Sequence, residues 1–79
     1  MILPNKLIRF QESIISKIAF ILDEVSVEPQ SNINLYVKVK NHFDDINQYI
    51  LALDVLFVLG KIEFDEKAQV IVYVKTDNL

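Results

Sequence analysis

The sequence is poor in the residues that build chemical sites. Its 79 residues include no cysteine, one histidine and one glycine. Disulfides and cysteine-based metal sites are therefore excluded, and a single glycine cannot form a phosphate-binding loop. The 11 acidic residues outnumber the 8 basic ones, so the net charge of −3 gives no general attraction for nucleic acid or anionic lipid. Stability has to come from side-chain packing, with a partner protein as a further source.

Long hydrophobic runs are also absent. Residues 1–6 contain no apolar segment of signal-peptide length, and uncharged apolar runs such as residues 49–53 are far too short to cross a bilayer. We therefore expect a cytoplasmic location. Hydrophobic residues nevertheless make up 52% of the chain, which is typical of a folded protein, and the length allows one domain at most.

The first third of the chain predicts one helix after an extended leader. Residues 1–10 carry a proline and no clear period, so they are predicted as an extended leader that docks through its apolar side chains. A helix is predicted from Gln11 to Val25, because apolar residues recur there every three or four positions. Phe20 lies in the polar half of this helix, where the leader or a partner protein would have to cover it.

Residues 31–42 are ambiguous from the pattern alone. Apolar and polar residues alternate from Ile33 to Val39, which slightly favours a half-buried strand. A helix is the alternative, since Ser31 or Asn32 can cap it.

The C-terminal half is clearly punctuated. Asp44 or Asp45 supplies an N-cap for a helix that ends at Gly60, and two β-rich runs, 61–64 and 70–74, form a hairpin around a polar loop. Helix, middle element, helix and hairpin is the order of a winged-helix domain. We therefore predict a single α+β, winged-helix-like domain over residues 1–79, with three helices followed by a C-terminal β-hairpin.

No group of residues predicts catalysis. The adjacent carboxylates stand at helix ends and in the hairpin loop, where solvation and capping explain them. His42 has no serine, cysteine or second histidine at a motif spacing. We therefore expect no enzyme activity, no cofactor and no metal.

Nucleic-acid binding is disfavoured by the third helix, the usual DNA reader of a winged-helix domain. Residues 44–59 contain no lysine or arginine, and three aspartates would face the phosphates. The remaining alternative is a winged-helix nucleic-acid-binding regulator whose basic contacts come from Lys38, Lys40 and Lys61.

The third helix has more apolar surface than one core contact uses. A helical wheel places one apolar set on the core side, consisting of Ile46, Tyr49, Ile50, Leu53, Leu56 and Phe57. Leu51, Val55 and Val58 fall on the opposite side among polar residues. Either the leader and the hairpin cover this second side, or it binds another protein.

Two blocks of sequence resemble a known family. Residues 2–8 (ILPNKLI), followed by Glu12-Ser13-Ile14, and residues 51–63 (LALDVLFVLGKIE) are similar to the small middle-component proteins of ABC-three-component (ABC-3C) systems. The resemblance implies a winged-helix-like adaptor in a bacterial conflict or antiphage system, linking an SMC-like ABC ATPase to an effector protein. It also favours a helix over residues 31–42.

The resemblance draws attention to Asp54, an acidic residue in an otherwise apolar helix. Asp54 can accept a hydrogen bond from the leader or orient an arginine or lysine of a partner. The predicted partner-binding residues are therefore Phe20, Leu51, Asp54, Val55 and Val58. A homodimer is left open.

Overall fold

The structure, a computed structural model, describes residues 4–75, with side chains from residue 14 onward. It contains three α-helices and two strands in the order α1 (Pro4–Val27), α2 (Asn32–Val39), α3 (Ile46–Val58), β1 (Ile62–Asp65) and β2 (Val70–Tyr73). A short 3₁₀ turn, Lys40–His42, follows α2. The predicted α+β order of three helices followed by a C-terminal hairpin is confirmed.

Helix α1 begins earlier than predicted. The extended leader predicted for residues 1–10 is wrong from Pro4 onward, where the helix starts; residues 1–3 lie outside the described residues. Proline suits the first turn of a helix, because its ring fixes φ near the helical value and the missing N–H would have no partner there. In the sequence, Leu7 and Phe10 also continue the helical spacing that leads to Ile14.

Residues 32–39 form helix α2, as the family resemblance implies. The Ser31 side chain caps it, because Ser31 Oγ accepts the N–H of Asn34 at 3.1 Å. Leu35 and Val39, four residues apart, are buried, whereas Ile33 and Val37 are exposed. The alternation in the sequence therefore mixes one buried pair with one exposed pair.

Both ends of α3 are fixed by the predicted kinds of residue. Asp45 is the N-cap, and its Oδ1 accepts the N–H of Gln48 at 2.9 Å. At the other end Gly60 has a φ of 72°, a left-handed conformation that glycine adopts without strain. The N–H of Gly60 donates to the carbonyl of Phe57 and that of Lys61 to the carbonyl of Leu56, which closes the helix as a Schellman motif.

The core lies where all five elements meet. Each element contributes buried apolar side chains, among them Ile21, Val25, Leu35, Val39, Tyr49, Leu53, Leu56, Ile62 and Ile71. The strands pair antiparallel, with Phe64 opposite Ile71. Gln30, in the connection between α1 and α2, exchanges two backbone hydrogen bonds with Ile71, at 3.1 and 2.7 Å. This bridge fastens the hairpin to the helices.

Candidate functional site

Helix α3 buries only one narrow side. Its buried residues are Tyr49, Ala52, Leu53 and Leu56. The wheel-based assignment of Ile46, Ile50 and Phe57 to the core side is wrong, since all three are exposed. The reason is that Ala52 is fully buried. The buried side of α3 is therefore centred closer to Ala52 than the helical wheel predicts, because alanine adds little hydrophobicity to the wheel.

The exposed side of α3 is apolar around a single carboxylate. Asp54 is exposed, and its four neighbours on the helix surface, at i±3 and i±4, are all exposed apolar residues. We call this set the outer patch; it consists of Ile50, Leu51, Asp54, Phe57 and Val58. The exposed fraction of its apolar members runs from 37% for Leu51 to 86% for Val58.

The Asp54 carboxylate has no hydrogen bond or ion pair with another described side chain. The two acids before α3 differ in this respect. Asp45 caps the helix, and Asp44 lies 3.6 Å from Lys17 Nζ of α1. Lys17 also donates to Gln48 Oε1 at 2.7 Å, so this group ties α1 to the start of α3. Asp44 and Asp45 thus have polar partners, whereas Asp54 has none among the side chains of residues 14–75.

The structure brings four of the five predicted partner-binding residues together. Leu51, Asp54 and Val58 belong to the outer patch, and Val55 lies at its edge with a partly buried side chain. Phe20 has a different neighbour. Its ring stacks on His42 of the 3₁₀ turn, with the centroids 3.6 Å apart and the planes 6° from parallel. A residue of the same chain therefore covers one face of Phe20.

A groove between α2 and α3 was missed by the sequence analysis. It has a volume of about 140 Å³ and is lined by Asn32, Ile33, Tyr36, Ile46, Tyr49 and Ile50. The helical wheel assigns Ile46 and Ile50 to the core side of α3. Counting Ala52 as a core residue would have moved Ile46 and Ile50 to the surface.

Tyr49 forms the floor of this groove and is held in place by its hydroxyl group. The hydroxyl donates to Asn32 Oδ1 at 2.8 Å, and the ring packs against Tyr36 with centroids 4.8 Å apart. Burial, with a smaller contribution from Tyr36, raises the pKa of Tyr49 to about 12. Tyr49 is therefore a neutral, structural residue at physiological pH.

Lys38, one of the three basic residues of the nucleic-acid-binding alternative, has partners within the chain. Lys38 donates to Gln30 Oε1 at 3.1 Å and lies 3.9 Å from Glu24. Helix α3 contains no lysine or arginine.

Over residues 4–75, no group of three histidine, cysteine or acidic residues could hold a metal ion. The helices of this described part are also too short or too polar to cross a membrane.

These features define a small α+β protein whose third helix presents an apolar surface with an acidic centre. The sequence model of one protein family, the ABC-three component (ABC-3C) system Middle Component 7, matches residues 3–71. The chain belongs to this family, which confirms the predicted resemblance. No curated protein and no solved structure matches the chain, so its likeness to a winged helix stays a prediction. As one component of a multi-component system, the chain has partner proteins.

Proposed function

We propose that this chain is a non-catalytic adaptor subunit that binds other components of its ABC-3C system through the outer patch of α3. The observation that carries the proposal is Asp54 surrounded by four exposed apolar side chains on one helix face. Contiguous exposed apolar surface marks protein interaction sites. A charged residue inside such a surface contributes to the choice of partner, because the partner has to match its charge.

The spacing of the outer patch supports helix-based recognition. Ile50 and Phe57 are seven residues apart, as are Leu51 and Val58, so two apolar ridges run along α3 on either side of Asp54. Burying such ridges stabilises a complex by about 25 cal/mol for each Å² of apolar surface removed from water. A partner that covers both ridges gains this energy and also surrounds Asp54.

The proposed partners are an SMC-like ABC ATPase and an effector protein, in the cytoplasm of a bacterium that uses the system for defence against phage. An adaptor that links two proteins needs two surfaces. The outer patch offers one, and the groove lined by the exposed Ile33 and Ile46 offers a second, which adjoins the outer patch at Ile50. This arrangement supports a linking role for a chain of only 79 residues.

Co-purification tests the proposal. The tagged full-length chain is co-expressed with the ATPase and the effector of its system, as wild type, as Val58→Lys and as Val27→Lys. Val27 is the matched control, because it is 81% exposed and lies at the end of α1, outside the outer patch. We expect Val58→Lys to lose the captured partner by about tenfold or more, because the lysine removes apolar contact area and places a second charge in the interface, four residues from Asp54.

Val27→Lys should capture the partner as the wild type does. The proposal is contradicted if the wild type captures neither protein, or if Val58→Lys captures as much as Val27→Lys.

A further inference from the structure

We infer that the outer patch accepts a helix of another protein that presents a basic residue in the middle of its apolar face, and that it does not pair with a second copy of this chain. The inference rests on the proposed function and adds the chemistry of the partner. The observations that support it are the charge, position and surroundings of Asp54.

The first step concerns desolvation. Any partner that covers Ile50, Leu51, Phe57 and Val58 also removes water from the carboxylate between them. Burying an unpaired charge in such a place strongly opposes binding, so a partner that supplies a cation is favoured. Arginine suits this position better than lysine, because its planar group can donate two hydrogen bonds to one carboxylate and is more weakly hydrated.

The second step concerns compensation from within the chain. Lys17 lies 3.6 Å from Asp44, so the acid at the start of α3 already has a cation. None of the side chains that the structure describes, those of residues 14–75, plays this part for Asp54, and α3 itself has no basic residue. Among these side chains the carboxylate at the centre of the outer patch has no cation, so an external cation can pair with it.

The third step concerns the shape of the occupant. The outer patch runs from Ile50 to Val58, about 12 Å along α3, a length that two to three turns of a partner helix cover. Two ridges with a seven-residue repeat match a helix that lies almost parallel to α3. An extended peptide would need an open sheet edge for its backbone hydrogen bonds, and a helix offers none.

A second copy of the chain does not fit. A two-fold axis through the centre of the outer patch would bring the two Asp54 carboxylates together in a region without water. Like charges in that position repel, and α3 supplies no lysine or arginine to neutralise them. The outer patch therefore favours a different protein with the opposite charge.

A display library of helical peptides tests this inference without knowledge of the partner. Each peptide has about 14 residues, with varied apolar residues on one face and all amino acids allowed at the centre of that face. Selection against the wild-type chain should enrich arginine and lysine at the centre by roughly tenfold over acidic residues. Selection against Asp54→Lys should enrich aspartate and glutamate instead, and selection against Asp54→Asn should show no charge preference.

Glu66→Lys is the matched control, because Glu66 is an exposed acid in the hairpin turn and should leave the wild-type preference unchanged. Amide shifts in an NMR titration with a selected peptide should map to residues 50–58. The inference is overturned if wild type and Asp54→Lys select the same central residue, if no selected peptide contacts α3, or if the free chain dimerises through the outer patch.

The two proposals fail separately. If the selected peptides show no charge preference but the partner still co-purifies, the inferred basic residue of the partner is wrong and the proposed adaptor function stands. If Asp54→Lys reverses the charge preference of the selected peptides but neither protein co-purifies, the inferred basic residue stands and the proposed partners are wrong.

Discussion

Replacing Val58 by lysine should change the stability of the free chain very little. The Val58 side chain is 86% exposed, so a lysine there places its ammonium in water and removes almost no packing. We expect the free energy of unfolding to stay within about 0.5 kcal/mol of the wild type. Val55→Lys should cost more, about 1 kcal/mol, because Val55 is partly buried and the lysine stem has to extend to reach solvent.

Leu56→Ala provides the upper end of the scale. Leu56 is fully buried in the core, and such a truncation costs about 2–5 kcal/mol. In a domain of this size, 1 kcal/mol corresponds to a shift in Tm of roughly 4–8 °C. Thermal unfolding followed by circular dichroism should therefore rank the three variants clearly, with Val58→Lys nearest to the wild type.

A large loss of stability in Val58→Lys would refute this reasoning. A fall in Tm of about 10 °C or more would mean that another part of the same chain covers the patch in solution. The apolar surface of α3 would then be an internal contact, and its interpretation as a partner-binding site would lose its basis.

Three further predictions concern the fold and the alternative function. Tyr49→Phe removes the hydrogen bond to Asn32 and should cost about 1 kcal/mol in urea unfolding at neutral pH. Tyr49 has a pKa near 10 in the unfolded chain and about 12 in the folded chain. The free energy of unfolding of the wild type should therefore fall as the pH rises from 10 to 12, by at most about 1.4 kcal/mol per pH unit. Tyr49→Phe should lack this part of the fall. Asp45→Ala should cost about 1 kcal/mol through loss of the α3 cap, measured in the same way. The chain should not shift duplex DNA in a mobility assay at physiological salt; a micromolar, salt-sensitive shift would restore the nucleic-acid-binding hypothesis.

The order of elements could be predicted because local signals mark most element ends. Ser31, Asp45 and Gly60 act at the positions that their side chains or backbone freedom suggest. The start of α1 could not be found in this way, because Pro4 was interpreted as part of an extended leader and not as a first helical residue. A proline is common both in extended segments and in the first turn of a helix. Only the spacing of the apolar residues after Pro4 distinguishes the two structures.

The candidate site could be predicted only in part, because exposure depends on how α3 is rotated against its neighbours. Leu51, Asp54 and Val58 were identified from the wheel and the family resemblance, and the structure places them on one exposed face. Ile50 and Phe57 were missed, because the wheel weights residues by hydrophobicity and could not show that Ala52 packs in the core. The stacking of Phe20 on His42 joins residues far apart in sequence, and no local pattern indicates it.

Site-specific photocrosslinking tests the central claim most directly. A photoreactive amino acid is placed at position 58 of the full-length chain, or at position 27 as the control, and the chain is irradiated while co-expressed with the ATPase and the effector. We predict a covalent product with one of these two proteins from position 58 and none from position 27. Equal crosslinking from both positions, or a product from position 27 only, would contradict the assignment of the outer patch of α3 as the partner-binding surface.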